Sequence, residues 1–473
     1  MTGSSVEAIT GHQNQLFPNH VPVLNDKGWG TTVSTQGGID FRNEFFQDLG
    51  QNGRRCVSCH LPTAGWGITP QQTQEIFALT RGGEYDDGAG LGAIFRTNDG
   101  TNSPNADVST FQKKKSAYSM LLNRGLIRIG LPIPANAEFE LIAVDDPYHF
   151  ASATELSLFR RPLPTANMKF LSTVMWDGRE VVPGQSIHFD LSNQANDATT
   201  GHAQGQPITD AQRESIVGFD TSVFFSQVYD FGDGDLTANG AKGGPDASIA
   251  QNFYVGINDN FGDCINPVCM VVGATLGIGA GDPTIRGAAF NPDVFTLYDA
   301  WTNTNSGNHM TAANRRAVAR GQALFNTRPI TISGVSGIND EAAFGKPVSI
   351  VGACTTCHDS PNAGDHSVVA PLNIGLMDAV RRTPDMPLYT LRNKTTGEIK
   401  QTTDPGKAMI SGKWIHVGRF KGPVLRGLAS RAPYFHNGFA ADLNAVLDFY
   451  NDRFAMNLTA QERSDFLAFL ETL

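Results

Sequence analysis

The stretch RRCVSCHLP, residues 54–62, places two cysteines three positions apart and a histidine directly after the second. The same arrangement recurs in GACTTCHDSPNAG, residues 352–364, although the chain has only six cysteines in 473 residues. The two copies contain these residues: Cys56, Cys59 and His60, then Cys354, Cys357 and His358. A single C-x-x-C pair is compatible with a redox dithiol or half of a zinc site, so the adjacent histidine and the repetition carry the assignment.

C-x-x-C-H is the spacing used for covalent attachment of c-type haem. The two thiols add to the haem vinyl groups, and the adjacent imidazole is placed to bind the iron. A zinc site would need four nearby ligands, and neither copy has a second Cys/His pair at zinc-like spacing. The sequence therefore predicts two covalently bound haem c groups, with His60 and His358 as their proximal iron ligands.

Covalent haem attachment also indicates a compartment, because haem c is normally installed outside the cytoplasm. The start MTGSSVEAIT lacks a basic and then apolar leader, so we expect a periplasmic protein whose signal peptide has been removed. Cys264 and Cys269 are close enough for a local disulfide, which suits an oxidising space. The alternative for this pair is two free buried thiols.

Composition excludes some classes of function. The net charge of −10 argues against a nucleic-acid partner, which usually meets a basic surface. The longest apolar candidate, MVVGATLGIGAG at residues 270–281, is too short and too rich in glycine to span a membrane. With 50 glycines and 25 prolines, the chain is expected to contain long loops.

Apolar residues recur at the spacing of an amphipathic helix before each haem motif and again after the second one. It predicts helices in DFRNEFFQDLGQNG (40–53), TAANRRAVARGQALF (311–325), ADLNAVLDFYNDRF (441–454) and TAQERSDFLAFLETL (459–473). A helix, a haem loop and closing helices are the layout of a small cytochrome c domain. We therefore predict a mainly α chain with little β structure and two cytochrome c-type haem domains, residues 1–307 and 308–473.

Two further segments, FLSTVMWDGRE (170–180) and FKGPVLRGLASRAPYFHNGF (420–439), resemble the corresponding segments of bacterial dihaem cytochrome c peroxidases and the related MauG enzymes. The resemblance runs discontinuously from about residue 40 to the C-terminus. It implies that the N-terminal haem reacts with hydrogen peroxide and that the C-terminal haem is a six-coordinate electron-transfer centre. It also implies that Trp176 lies between the two haems, whereas its apolar surroundings alone would suggest a core residue.

The resemblance gives a candidate distal pocket for the first haem. In the family a glutamine and a glutamate, ten residues apart, follow the tryptophan; Gln194 aligns with the first, but Gln204 stands at the second. A neutral amide cannot act as a carboxylate base, so His202 is the candidate for proton transfer. Ordinary loop roles for these three residues are the alternative. In many dihaem peroxidases a histidine shortly after the first C-x-x-C-H binds this iron until the other haem is reduced. Here no histidine occurs between His60 and His149, so the resemblance implies that the first iron is five-coordinate or binds only water.

The second haem needs a sixth ligand. In the family it lies fourteen residues after the histidine of the YFH block, as methionine in the peroxidases and tyrosine in MauG. Fourteen residues after His436 is Tyr450, which also falls on the apolar stripe of its predicted helix. The competing candidates are methionines: Met456 first, then Met377, Met386 and Met409.

A metal ion lies between the domains of many family members, held by an asparagine side chain and by carbonyls of the APYFHNG block. Arg161 aligns with that asparagine, and its guanidinium could take the place of the cation. Calcium is therefore possible but doubtful, although Arg431 and Pro433 could still supply carbonyls.

The leading hypothesis is a periplasmic dihaem peroxidase-type oxidoreductase. It would use hydrogen peroxide, share oxidising equivalents between the haems and oxidise a redox protein or a residue of a partner protein. A second hypothesis is a dihaem rubber oxygenase that cleaves an apolar polyene with dioxygen, since MWDGRE and CTTCHDSPNAG are also similar to that family. A third is a non-enzymatic electron carrier. An open iron coordination site separates the carrier from both enzymes.

Overall fold

A computed structural model describes residues 16–473 apart from Asp86, Thr97 and residues 265–285. Within that part of the chain there are ten α-helices and thirteen short strands. The helices are α1 (Pro70–Thr80), α2 (Phe111–Ala117), α3 (Ser119–Arg124), α4 (Ile187–Gly201), α5 (Asp210–Ser222), α6 (Pro245–Ala250), α7 (His309–Thr327), α8 (Ala408–Ser411), α9 (Leu443–Arg453) and α10 (Ala460–Leu470). The strands are β1 (Leu16–Pro18), β2 (Pro22–Asn25), β3 (Gly28–Ser34), β4 (Gly38–Asp40), β5 (Ile127–Leu131), β6 (Phe139–Asp145), β7 (Leu156–Arg160), β8 (Val223–Asp230), β9 (Gly234–Asp235), β10 (Ile330–Ser333), β11 (Ser349–Gly352), β12 (Leu388–Asn393) and β13 (Ile399–Thr402).

Polar side chains begin several of the longer helices. At α4 the Ser186 hydroxyl accepts a hydrogen bond from a backbone N–H of the first turn, and Asn308 does the same for α7. At α10, Thr459 and Glu462 cap each other's backbone in a reciprocal capping box. These caps satisfy N–H groups that have no partner inside the helix, so the helix starts follow from the local sequence.

Three of the four predicted helices are present as α7, α9 and α10, although α7 begins two residues before the predicted Thr311. Helices α7 and α10 pack closely. A Cβ atom at Gly321 would lie 1.9 Å from the carbonyl oxygen of Asp465, so this position requires glycine. Phe466 and Phe469 of α10 are buried in the largest core cluster, as their spacing predicted.

The helix predicted at residues 40–53 is absent. Asp40 instead ends strand β4, which pairs with β1, and only Glu44–Phe46 forms a single 3-10 turn. The side chain of Asn43 caps that turn. Phe45 and Phe46 are buried as expected. The apolar pattern therefore identified buried residues correctly but indicated the wrong secondary structure. The pairing of β4 with β1 involves residues distant in sequence, so a local pattern cannot show it.

The described residues form five antiparallel sheets, so the β structure is more extensive than predicted. The sheets have the strand orders β1-β4, β2-β3-β8-β9, β5-β7, β13-β12-β6 and β10-β11. Strands β6 and β12 pair although about 250 residues separate them, from Leu388 opposite Asp145 to Asn393 opposite Phe139. This sheet joins the two predicted domains, whose boundary near residue 307 stays a prediction.

Two smaller predictions meet the structure only in part. Cys264 is fully buried and disulfide-bonded, whereas Cys269 lies outside the described residues. Among the described residues, no helix is both long and apolar enough to cross a membrane. The apolar run at residues 270–281 also lies outside the described part of the chain.

Candidate haem sites

The first C-x-x-C-H motif lines a cavity of about 160 Å³, called cavity 1 below. Cys56, Cys59 and His60 all face it. The motif forms a 3-10 turn that is closed where the Arg55 N–H donates to the Ser58 hydroxyl at 3.0 Å. The His60 side chain is half-buried, and its desolvation lowers its pKa to about 4, which favours the neutral ring. Its Nδ1 lies 3.3 Å from a backbone carbonyl, so Nε2 is the nitrogen that remains for a metal.

The second motif repeats this construction in a cavity of about 190 Å³, called cavity 2. Cys354, Cys357 and His358 line it. The Ala353 N–H donates to the Thr356 hydroxyl at 3.0 Å, in the same position of the turn as at the first motif. His358 Nδ1 lies 2.5 Å from the carbonyl oxygen of residue 364, and burial lowers the pKa of the ring.

Both sets of residues fit haem c. All four motif cysteines are free thiols that line a cavity, and burial raises the pKa of Cys56 to about 12 and that of Cys59 to about 11. Two free cysteines and an adjacent imidazole on the wall of one cavity suit thioether attachment of a haem and a bond from the histidine to its iron. Among the described residues, no group of three or more His, Cys, Asp or Glu side chains is placed to hold a metal ion. A porphyrin brings four of the iron's ligands itself, so such a group is not needed.

Helix α4 supplies two polar side chains to cavity 1. Gln194 lies within the helix and His202 directly after it, and both line the cavity. Gln204, the third candidate from the sequence, is exposed, has a left-handed backbone (φ 54°) and is not part of this lining. The structure therefore brings Gln194 and His202 to the cavity and places Gln204 at the surface.

Sequence reasoning missed the partners of His202. Its Nδ1 lies 2.5 Å from a carboxylate oxygen of Asp99, and Arg54 Nη1 donates to both oxygens of the same carboxylate at 2.7 Å. Burial raises the pKa of Asp99, but the hydrogen bond from His202 and the charge of Arg54 outweigh it and hold the pKa below its usual range. Asp99 is therefore a carboxylate that fixes the imidazole orientation. It stands 103 residues before His202, in the 3-10 turn Asn98–Gly100, so the sequence spacing does not reveal the contact.

Cavity 1 also contains a buried acid that the sequence analysis did not single out. Asp220 of α5 is 4% exposed and lines the cavity. Within the described residues its Oδ1 has no hydrogen-bond partner, and burial raises its pKa well above the usual value. Burial therefore favours the neutral form of this carboxyl group over its charged form.

The two cavities meet at Trp176. This side chain lines both of them, together with Lys421 and Pro423. The Trp176 indole N–H donates to the Arg161 carbonyl at 2.8 Å, and its carbonyl accepts from the Lys421 N–H at 2.9 Å. Its ring centroid lies 5.8 Å from that of His436, which belongs to the lining of cavity 2. The tryptophan thus stands in the partition between the two cavities.

The structure narrows the choice of sixth ligand in cavity 2. Tyr450 and Met456 both line this cavity. Met377 does not, and its sulfur lies 2.9 Å from His436 Nε2. The other two methionines belong to separate core clusters: Met386 and Met409. Burial raises the pKa of Tyr450, so a phenolate there would need a facing cation such as ferric iron.

Arg161 occupies the position at which the resemblance implies calcium. Its Nη1 donates to the Arg124 carbonyl at 2.7 Å, and its Nη2 donates to the carbonyls of Ile68 at 2.7 Å and Arg431 at 3.0 Å. These oxygens already accept hydrogen bonds from a cation. Because calcium takes six to eight oxygen ligands, the residues present do not fit it.

Two cavities that each carry a C-x-x-C-H motif on one wall have the features of a c-type haem site. No family model matches the chain, but part of it is similar to known proteins. A cytochrome-c peroxidase of Denitromonas iodatirespirans is 30% identical over 132 residues, 26% of this chain and 36% of that protein. A cytochrome-c peroxidase of Pseudomonas sp. (strain SCT) is 31% identical over 141 residues, 25% of this chain and 36% of that protein. These matches confirm the resemblance to the cytochrome c peroxidases, although they span only about a third of each relative.

A solved structure described as a MauG-like protein associated with microbial copper homeostasis aligns over 97% of this chain and 93% of its own. The sequence identity is 17% and the TM-score is 0.39. A likeness at this level does not indicate a function.

Proposed function

We propose that this chain is a periplasmic dihaem oxidoreductase that reduces hydrogen peroxide in cavity 1 and exchanges electrons with cavity 2. Two haem c groups would be held by the cysteine pairs, with His60 and His358 as proximal ligands. Haem bound there would supply the redox chemistry. The observation that carries the proposal is that Trp176 lines both cavities, and the peroxidase relatives support the class of reaction.

Reduction of hydrogen peroxide to two waters consumes two protons and two electrons, so cavity 1 has to deliver protons. We assign this role to His202. With Nδ1 donating to Asp99, Nε2 is the nitrogen that can exchange a proton with a ligand in the cavity. Arg54 holds Asp99 and thereby the orientation of the ring. Gln194 can position the peroxide through its amide, and Gln204 has no part in this proposal because it lies outside the cavity lining.

The electrons come from outside and pass through cavity 2. We assign Tyr450 as the residue that would hold the iron together with His358, since both line cavity 2. In the described part of the chain no hydrogen bond engages the Tyr450 hydroxyl, which supports this role over that of a core tyrosine. A hard anionic phenolate lowers the reduction potential of iron and suits a centre that stores an oxidising equivalent. Trp176 in the partition would carry the charge between the sites, and the final reductant would be a small redox protein or a residue of a partner protein.

The test is an electron paramagnetic resonance spectrum of the haem-loaded, oxidised protein before and after peroxide is added. We expect one high-spin signal from cavity 1 and one low-spin signal from cavity 2, and both should change with peroxide alone. Among the described residues, His202 is the histidine besides His60 that lines cavity 1. If His202 bound the iron, this haem would have no open position for peroxide. Two low-spin signals that ignore peroxide until the protein is reduced would contradict the proposal.

The same samples separate the other two functions. An electron carrier would show no open iron site and no reaction with peroxide. An oxygenase would retain a stable dioxygen complex as isolated and would consume dioxygen with an apolar polyene. Peroxide consumption that oxidises an added redox protein supports the peroxidase-type function instead.

A further inference from the structure

The guanidinium of Arg161 is a buried cation without a counter-ion. The residue is 7% exposed, and no salt bridge within the described residues includes it. Its partners are three backbone carbonyls, from Ile68, Arg124 and Arg431. Burial and the nearby charge of Arg431 lower the pKa of Arg161 to about 9, which still leaves it charged at neutral pH. Burying such a charge costs free energy unless its N–H groups find hydrogen-bond acceptors. The three carbonyls supply these acceptors, so they form a binding site for the guanidinium.

The neighbouring backbone is adapted to this cation. Gly125 has a left-handed φ of +64°, and a Cβ atom there would lie 2.6 Å from Arg161 Nη1. Only glycine therefore allows the guanidinium to reach the Arg124 carbonyl, which ends helix α3 and carries the partial negative charge of a helix C-terminus. The Ile68 carbonyl precedes α1, and the Arg431 carbonyl belongs to the segment of residues 420–439.

The backbone of Arg161 holds the partition between the cavities. Its N–H donates to the His436 carbonyl at 2.7 Å, and its own carbonyl accepts the indole N–H of Trp176 at 2.8 Å. One residue thus connects two N-terminal segments and the C-terminal 420–439 segment, and it orients the tryptophan that lines both cavities. Displacing its guanidinium would shift the carbonyl that holds Trp176.

We propose that the Arg161 guanidinium is the permanent structural cation of this protein, which fixes Trp176 between the cavities and makes a divalent metal ion unnecessary. A second cation at this point would be repelled by the guanidinium and would compete for carbonyl oxygens that already accept hydrogen bonds. The effect on electron exchange rests on the proposed function. The effect on stability does not, so the two parts can fail separately.

The experiment measures thermal unfolding of the haem-loaded protein with EGTA and with about 1 mM calcium chloride. The unmutated protein should unfold at the same temperature in both. Arg161→Asn should unfold about 5 °C lower in EGTA, because an uncompensated group of carbonyls is left, and calcium should recover part of that loss. Arg161→Lys keeps a charge but loses the fork of donors, so it should fall between the two and should respond less to calcium.

Arg426→Asn is the matched control. Arg426 is also a fully buried arginine, bonded to the Ser226 hydroxyl at 3.0 Å and the Gly244 carbonyl at 2.9 Å, but it does not contact Trp176. It should destabilise the protein without producing a response to calcium. Stability of the unmutated protein that is lost in EGTA and restored by calcium would overturn the proposal, as would an Arg161→Asn variant as stable as the unmutated protein. If Arg161→Asn does not fold, the unfolding temperatures of Arg161→Lys in EGTA and in calcium chloride provide the same test.

The second measurement is the rate of electron exchange between the two haems after one is rapidly reduced. Arg161→Asn should slow it about tenfold, with partial recovery in Arg161→Lys, whereas Arg426→Asn should not change it. If Arg161→Asn is destabilised but its electron-exchange rate is unchanged, Arg161 stabilises the protein but does not position Trp176, and that part of the proposal is refuted. No peroxide reaction in any variant, with the calcium responses as predicted, would refute the proposed function but not the structural cation.

Discussion

Cavities 1 and 2 are built alike on the wall that carries the cysteines. In each, a hydroxyl closes the turn of the motif, from Ser58 in the first and Thr356 in the second, and the histidine Nδ1 faces a backbone carbonyl. The opposite walls differ. Cavity 1 has polar groups on α4 and α5, and His202 directly after α4 is paired with Asp99. Cavity 2 is lined by many apolar side chains, with Tyr450 and Met456 among its lining residues, and its polar side chains include His366, His436 and Lys421.

This difference separates two tasks that the attachment motif cannot distinguish. A site that converts peroxide to water needs groups that move protons, and cavity 1 has His202 with its Asp99 partner. A site that only exchanges electrons needs two protein ligands for its iron, and cavity 2 has His358 and Tyr450 as candidates. We therefore propose that the residues opposite the C-x-x-C-H motif, and not the motif itself, decide which reaction each cavity supports.

The largest expected effect comes from removing one attachment site at a time. In Cys56→Ala/Cys59→Ala, we expect half of the haem to be lost, together with the reaction with peroxide. The matched variant Cys354→Ala/Cys357→Ala should lose the same amount of haem but keep a first reaction with peroxide and lose repeated turnover. Haem content and peroxide consumption check both. Equal loss of the peroxide reaction in the two variants would remove the distinction between the cavities.

The next effect concerns proton transfer in cavity 1. His202→Gln should slow the reaction with peroxide about 100-fold, because general acid–base groups typically contribute two to four orders of magnitude. Asp99→Asn should slow it less, about tenfold, because the imidazole remains but loses its carboxylate partner. Stopped-flow absorbance of the haem measures the rate.

His188→Gln is the control for this series. His188 lies on helix α4, which His202 directly follows. Its Nε2 is 3.0 Å from the Glu214 carboxylate, but both side chains are exposed, and His188 is not part of the cavity 1 lining. Its replacement should leave the rate unchanged. A His202→Gln variant that reacts at the unmutated rate would return this histidine to a structural role.

A third effect concerns the axial ligand of cavity 2. Tyr450→Met should raise the reduction potential of this haem by roughly 0.1 V, a modest part of the range of about 0.8 V that axial ligands cover. Met456→Leu should leave the potential nearly unchanged, because Met456 would be only a wall residue. Potentiometric titration measures both. A methionine–iron charge-transfer band in the unmutated oxidised protein would exclude tyrosine ligation.

Much of the candidate site could be predicted from the sequence because its parts are local. The two motifs are contiguous, and the helical spacing that placed Tyr450 on an apolar stripe also placed it in cavity 2. Gln204 was chosen by the family's ten-residue spacing, and it lies outside the lining of cavity 1, beyond the end of α4 at Gly201. Asp99 could not be predicted, since only the folded chain brings it to His202.

The fold divides in the same way. Helices α7, α9 and α10 follow from local periods and caps, whereas the pairing of β6 with β12 depends on residues about 250 positions apart. The sequence of residues 40–53 has an apolar pattern compatible with a helix, and tertiary pairing of β4 with β1 overrides it. Long-range pairing is thus the main reason for the extra β structure.

The smallest effect is expected where the two cavities meet. Trp176→Phe retains an aromatic ring but removes the indole N–H that donates to Arg161, so both haems should stay bound while electron exchange between them slows about tenfold or less. Trp414→Phe is the matched control, because it also removes a buried indole hydrogen bond, to Glu398 at 2.7 Å, in a core cluster away from both cavities. Turnover with an external reductant and the exchange rate after rapid reduction measure the effect. If Trp176→Phe and Trp414→Phe behave alike, Trp176 is a packing residue and charge passes between the cavities without it.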